Sequence, residues 1–469
     1  MSKLNATDVQ GFVLRGYNMP HARFCFLRFQ DAAAGRHLIA QLLGSITTGQ
    51  LWDHGKPQST LNIAFTFKGL TALELPLATL ISFPDEFQQG MKGRANILGD
   101  IGQNAPEHWD PLWRDADIHA WVAIHALTPE TLEAQFAKLN TVIAATGNIH
   151  LLGAQDAAAL VVDGKPCTKE HFGYTDGFGN PDYLGVCRNT QPGQGKLLPD
   201  GTWAPLATGE LLLGYADEAG ELPVAPVPHI LAANGTFMVY RKLHENVGTF
   251  RAFLDEWSAH YGAGDAAAKD KLASKFIGRW QDGTPIELSP DAPDPAIVAD
   301  PNRNTDFKFG ADLSGSRCPV GAHVRRVHPR DAFGFNGKLV DRRRITRRGM
   351  PYGPQVDTDP SQDPATIDAT DRGVVFMALN ASLSRQFEFV QQQWISYGND
   401  AHLGNEKDLL LGTHLPGERF SIQGDTNPAN PPLFCANLPN FVELRGGDYF
   451  FLPSITALAM IAMQLVDPR

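Results

Sequence analysis

Apolar and polar positions along the chain repeat one arrangement four times: a short run rich in β-branched or aromatic residues, a few turn residues, then apolar positions recurring every three or four. ARFCFLRFQ (22–30) precedes AAAGRHLIAQLL (32–43), and DIHAWVAIHAL (117–127) precedes TPETLEAQFAKLNTVIAAT (128–146). In the second pair Thr128 is placed to cap a helix and Pro129 suits its first turn. GTFMVYRKL (235–243) leads into NVGTFRAFLDEW (246–257), which puts Phe250, Phe253, Leu254 and Trp257 on one face. GVVFMALN (373–380) leads into ASLSRQFEFVQQQWIS (381–396), where Leu383, Phe387, Val390 and Trp394 make a single stripe. These stripes read as core faces.

Two such units in each half, with further strands in LNIAFTFKGL (61–70) and VELRGGDYFFLP (442–453), predict two β-α-β-β-α-β modules. The expected fold class is α+β, with two ferredoxin-like domains whose antiparallel sheets carry peripheral helices. The Gly/Pro-rich stretch LPDGTWAPLATGE (198–210) supplies the boundary, giving domains 1–210 and 211–469. Residues 278–310 are too polar and proline-rich for a core element and are expected to form a surface insertion or one wall of a site.

Bulk composition narrows the function classes. A length of 469 residues suits two or three domains, and 43% hydrophobic with 19% charged residues describes an ordinary globular protein. A net charge of -11 argues against nucleic acid as the main partner, leaving DRRRITRRGM (341–350) as a local exception. No apolar stretch reaches the roughly 20 residues needed to cross a bilayer, and the first residues carry no apolar leader pattern. Five scattered cysteines, with no paired zinc or haem-attachment spacing, read as reduced thiols in a cytoplasmic protein.

Three segments carry chemistry. EHFGYTDGFGNPDY (170–183) sets Asp176 among glycines and aromatics, so backbone can approach a flat or bulky group and aim the acid at it; on its own it is also an Asp-Gly turn. CPVGAHVRRVHPRD (318–331) places His323 after two small residues, beside Arg325, Arg326 and Arg330. A neutral imidazole there is able to bind a haem iron while arginines meet its propionates, although a hydrogen-bonded surface histidine fits the same letters and His328 competes for the role. RRRITRRGMPYGPQ (342–355) puts Arg347 and Arg348 before a Gly-Met-Pro turn, where a permanent cation suits an anion formed during reaction, or simply a solvated charged face. Phosphate-loop, zinc-helix, nucleophile-elbow and calcium-loop patterns are all absent from the sequence.

In this order, the G-x-x-D-G element at Gly173 to Gly177, CPVGAHVRR and RRGMPYGP resemble the dye-decolorizing peroxidase family, and the similarity extends from DVQGFVLRGY to RGGDYFFLPSITAL. It looks closest to the longer classes of that family, whose fold is of the dimeric α/β-barrel type. The resemblance implies one non-covalent haem b per chain, held through His323 as proximal iron ligand, with Gly177, Arg325 and Arg326 at the cofactor and Asp176 and Arg347 on the distal side. It implies hydrogen peroxide as oxidant and dyes or phenolics as donors, with Trp203, Tyr352, Trp394 and Tyr449 as candidate electron-transfer aromatics that core packing explains equally well. Two positions depart from the family pattern: His328 stands where asparagine is usual, and the proximal acid is missing after VVFMALNASL, leaving Asp448 as a substitute partner for His323. A haem-handling protein with little turnover is the alternative, and it has no use for Asp176 paired with Arg347. Another haem enzyme of this fold, such as chlorite dismutase, is not expected to carry G-x-x-D-G.

Overall fold

The strand and helix periods translate directly into local structure. The computed structural model describes residues 4–187, 189–262, 264–356, 362–424 and 431–467. Strand β1 (His21–Phe29) runs into α1 (Ala32–Leu42), whose first turn is capped by Asp31 accepting from the Ala34 N–H at 2.8 Å. Strands β2 (Ser59–Phe65) and β3 (Ala120–Ala126) follow, then α2 (Pro129–Thr146), with Thr128 capping it at the Thr131 N–H, and β4 (Ile149–Ala158). The second half has β5 (Thr236–Glu245), α3 (Val247–Tyr261), α4 (Ala266–Ile277) and the short α5 (His323–Val327). It ends with β6 (Thr346–Arg347), β7 (Met350–Tyr352), β8 (Gly373–Asn380) and β9 (Val442–Leu452).

These nine strands form one antiparallel sheet in the order β6-β8-β5-β9-β2-β3-β1-β4, with β7 also pairing β8. In the first half β1 lies between β3 and β4, and in the second β5 lies between β8 and β9 with β6 and β7 both pairing β8 in the place of a single second strand, which is the ferredoxin-like order. The halves meet where β9 pairs β2 through a single register position, Phe451 opposite Phe65. The sheet is open: among the described residues no ladder joins the edge strands β4 and β6. Every residue of β3 is buried, as expected of a strand covered on both faces. No helix among the described residues is long and apolar enough to span a membrane.

Two sequence expectations need revision. The fourth helix forms with wide turns, in which the Glu388 N–H reaches the Leu383 carbonyl and the Ser396 N–H the Gln391 carbonyl, both at 2.9 Å and five residues back. Its apolar stripe of Leu383, Phe387, Val390 and Trp394 is buried as the spacing requires. The wide turns also leave the buried Gln386 facing inward, where its amide donates to the Glu210 and Arg344 carbonyls. The segment 278–310 is not merely a surface excursion: Trp280, Ile286, Phe307 and Phe309 form a satellite core with Cys318 and Ala322, directly under α5. Sparse aromatics anchor a loop whose average polarity hides them.

Candidate active site

The loop carrying Asp176 is closed on itself before it meets anything else. The Asp176 N–H donates to the Thr168 carbonyl at 2.8 Å and the Glu170 N–H to the Tyr174 carbonyl at 3.1 Å. Gly177 follows at φ +94°, and a Cβ there would meet open space, so glycine is required by backbone conformation rather than by crowding. Residues of the 278–310 insertion support the loop from behind: the Thr175 N–H donates to the Gln281 carbonyl at 3.1 Å and Arg279 lies over the Phe178 ring.

Arg347 arrives from β6 and locks onto this loop. Its Nη1 donates to Asp176 Oδ1 at 2.7 Å, its Nη2 to the Phe178 carbonyl at 2.6 Å, and its backbone N–H to Asn180 Oδ1 at 2.8 Å. Burial alone would raise the Asp176 pKa, but Arg347, the Gly177 N–H and the charge of His323 together hold it below the usual carboxylate value. The acid is therefore ionised, with Oδ2 left free of the guanidinium.

His323 begins α5, and its Nδ1 sits 3.0 Å from Asp408 Oδ2 and 3.1 Å from Oδ1. Asp408 is wholly buried and also accepts from the Leu410 and Leu411 N–H groups at 3.0 and 2.8 Å. Burial opposes both charges, yet the pair wins: the imidazole pKa rises and the carboxyl pKa falls. A carboxylate that only accepts fixes the proton on Nδ1 and leaves Nε2 as a lone-pair donor. His323 and Asp176 each feel the charge of the other and that of Arg347. They are deeply surrounded by protein, yet 22%, 56% and 34% of their side chains stay accessible, as for groups lining a concave chamber.

A second set of charges surrounds this chamber. Arg279, Arg330 and Arg344 are buried and form no ion pair with a carboxylate among the described residues; burial lowers the pKa of all three, Arg279 and Arg344 to about 10, and the charges of Arg344 and Arg279 lower that of Arg330 further. Arg347 adds its field to both Arg279 and Arg344, and the Arg330 Nε has no partner. His328 stands among these cations with its pKa pushed well down by burial, Arg344 and Arg330, so its imidazole is neutral. With Trp203, Lys308 and Arg330 it lines a small opening. Buried, uncompensated positive charge beside a histidine with a free Nε2 fits an iron porphyrin with two carboxylates.

The structure redistributes several sequence assignments. It brings Asp176, Gly177, Arg347 and His323 together. Arg325 and Arg326 are only 3% exposed and spent on the frame: Arg325 binds Asp312 and the Cys318 carbonyl, and Arg326 binds the Trp394, Glu406 and Tyr397 carbonyls. Asp448 is not the partner of His323; it accepts from the Met91 and Tyr449 N–H groups at 3.0 and 2.8 Å, and Asp408 takes the imidazole instead. Arg330 was in view as a basic neighbour, whereas Arg279, Arg344 and Asp408 were not singled out. The only sequence signal for Asp408 was an acid directly before three leucines, a turn-capping pattern without a hint of its long-range contact.

Comparison with known proteins places this geometry among relatives. The family model for the DyP dimeric alpha+beta barrel domain matches residues 8–155. The chain is 31% identical over 491 residues to a dye-decolorizing peroxidase of Mycena epipterygia, covering 98% of this chain and 87% of that protein. It is 29% identical to the dye-decolorizing peroxidase msp1 of Mycetinis scorodonius, over 98% of this chain and 88% of that one. Among solved structures, an ancestral D-type dye-decolorizing peroxidase superposes with a TM-score of 0.83 at 29% identity, covering 97% of this chain and 99% of that one. A dye-decolorizing peroxidase in complex with 2,6-dimethoxyphenol gives 0.82 at 28% identity, over 98% and 100% of the two chains.

Proposed function

The chain belongs to the dye-decolorizing peroxidase family and is a peroxidase, and on that premise we propose that Asp176 is its distal acid-base group, Arg347 its anion stabiliser and His323 the ligand of a haem iron. Peroxidases of this family are haem enzymes; the finer assignment, one non-covalent haem b per chain, is supported here by the His323–Asp408 pair and by the absence of a haem-attachment cysteine spacing from the sequence. Arg279, Arg330 and Arg344, each of which donates to backbone carbonyls but to no carboxylate among the described residues, are the groups suited to hold its propionates, in place of Arg325 and Arg326. We keep 1–210 and 211–469 as the two modules, so that Asp176 comes from one and His323 and Arg347 from the other. Five free thiols support the cytoplasmic reading.

When bound, the haem supplies an iron centre at which peroxide is reduced by two electrons, which organic donors then return one at a time. Asp176 Oδ2 takes a proton from hydrogen peroxide and delivers it to the oxygen that departs as water, acting as base and then acid. Arg347 keeps the carboxylate ionised, orients it through Nη1 and offers positive charge to the hydroperoxide anion. Asp408 fixes the His323 tautomer that leaves Nε2 free for iron. For the donors, of the class represented by phenolics and dyes, a groove of about 550 Å³ opens beside α5, lined by Leu313, Phe333, Leu339, Trp394 and Tyr397. Trp394 has its Nε1 unpartnered there, and Arg326 grips its carbonyl, linking the groove to the helix of His323.

The observation carrying this reading is the 2.7 Å Asp176–Arg347 pair within electrostatic reach of a histidine whose other nitrogen is tied to a buried acid. Absorption spectra of the purified protein with and without peroxide test it. His323→Ala should lose haem, and Asp176→Ala should keep haem while reacting with peroxide about 10² to 10⁴-fold more slowly. Full haem occupancy in the first variant or an unchanged rate in the second overturns the assignment.

A further inference from the structure

Behind the Asp176 loop lie two acids that the peroxidase cycle does not use. Glu170 accepts from the Phe172 N–H through Oε2 and from the Tyr174 N–H through Oε1, both at 2.7 Å. Glu245, at the end of β5, accepts from the His171 N–H at 3.2 Å. Three backbone amides within the six residues before Asp176 thus point at two carboxyl groups. Those carboxyl groups are themselves within hydrogen-bonding reach of each other. Ionised carboxylates only accept, so a contact between two of them requires one proton held between the pair.

The surroundings offer nothing else to neutralise it. Among the described residues neither Glu170 nor Glu245 forms an ion pair. The charged or titratable groups facing the pair are Asp176 on the same loop, Tyr174 with Asp270 of α4 behind it, Tyr352 of β7, and His171, whose Nε2 meets the Tyr352 carbonyl at 2.8 Å. His171 is neutral near pH 7, since burial lowers its pKa to about 4 with the charges of Arg372 and His244 adding to the fall; Arg372, whose carbonyl accepts from the Glu245 N–H at 3.0 Å, forms no ion pair with either acid among the described residues. Burial pushes Glu170 up to about 7 and Glu245 upward too; the charge of Asp176 adds to the rise of both and that of Glu170 to the rise of Glu245, while the contact with Glu245 moderates Glu170.

We infer that Glu170 and Glu245 are positioning residues that share one proton, clamp the backbone of the Asp176 loop while they share it, and release the loop when that proton is lost. With one proton the pair carries a single charge and all three amide contacts. Loss of the proton leaves two carboxylates in contact with no ion-paired cation among the described residues to separate them, and one must swing away from its amides. The inference deepens the distal-site reading, resting on it only for the rate measurement below; the amide measurement stands without it.

The test uses the haem-loaded protein, wild type beside Glu245→Gln. The glutamine still accepts from His171 and donates to Glu170, but the second ionisation is gone. Amide hydrogen exchange at His171, Phe172 and Tyr174, corrected for intrinsic pH dependence, should lose protection about tenfold per pH unit above the pair's apparent pKa in wild type. In Glu245→Gln it should stay level. The rate of reaction with peroxide should show a falling alkaline limb in wild type that Glu245→Gln removes. Glu170→Gln, whose amide accepts only one of the two N–H groups, should lose protection at every pH. Parallel pH profiles in wild type and Glu245→Gln, or protection in wild type that does not change with pH, overturn the inference. Absent peroxide reaction with the predicted exchange pattern would instead sink the catalytic assignment and leave the clamp standing.

Discussion

Replacing Asp408 with asparagine tests the proximal arrangement most sharply, because the geometry dictates what the new amide must do. Oδ1 of Asp408 accepts from both Leu410 and Leu411, while Oδ2 is the oxygen nearer to His323 Nδ1. Asparagine keeps the first pair of bonds through its carbonyl oxygen, so the fold of this turn survives. Its NH2 group replaces Oδ2 beside Nδ1 and can only donate, leaving for the Nδ1 proton a neutral carbonyl oxygen 3.1 Å away that already accepts from two N–H groups, so the charge-assisted bond that fixes the tautomer is lost. Charge-assisted hydrogen bonds contribute about 1.5 to 3 kcal/mol, which converts to about 10 to 150-fold in haem affinity. That matches the usual cost of removing an acid behind a metal-bound histidine. Titration of the apoprotein with haem, followed by the Soret band, measures it, with far-UV circular dichroism confirming that Asp408→Asn folds. Equal haem affinity and equal reduction potential in wild type and folded Asp408→Asn would refute the tautomer argument.

Arg344→Met removes a buried cation that has no carboxylate partner among the described residues, so the apoprotein should melt at the same or a higher temperature while the rise in Tm on adding haem shrinks. Thermal melts with and without haem decide this, and a large loss of apoprotein stability would contradict it. Asp176 has a folded pKa below its ordinary value, so its ionised form is lost only as pH falls through that lower value. Stopped-flow rates with peroxide should therefore persist in wild type to a pH below that at which an ordinary aspartate takes up its proton, and Arg347→Leu should move the acid limb upward. Gly177→Ala meets no steric contact but must hold φ +94°, so it should cost about 1 to 2 kcal/mol in denaturant unfolding and slow the peroxide reaction by displacing Asp176.

Where local pattern and tertiary demand agree, the chain could be read directly. The apolar spacing of Phe250, Phe253 and Leu254 and the cap at Thr128 need no partner beyond their own helix to be recognised, and both stand as expected. Asp176, His323 and Arg347 were visible because short residues around each leave a side chain free to project, and their order carried the resemblance. Arg325 and Arg326 show the limit: adjacent to His323 and equally basic, they satisfy buried carbonyls that only the packed chain brings to them. Asp408 lies 85 residues from His323, and Arg279 comes from a segment whose mean polarity concealed its aromatic anchors. Long-range pairing of charges follows from topology, and no spacing rule along one strand or helix encodes it.

The seam between β2 and β9 has a consequence for how this molecule assembles. One register position joins the two half-sheets, whereas β9 and β5 share a long ladder, so side chains rather than main-chain bonding close the joint. Phe83, Phe87, Phe237 and Phe451 interlock there at ring separations of 5.1 to 6.5 Å. A prosthetic group held as proposed, between Asp176 of one half and His323 of the other, would fasten that aromatic zipper. Two polypeptides cut between β4 and β5 should then recombine only when the porphyrin is supplied, making maturation and quaternary capture a single cooperative event.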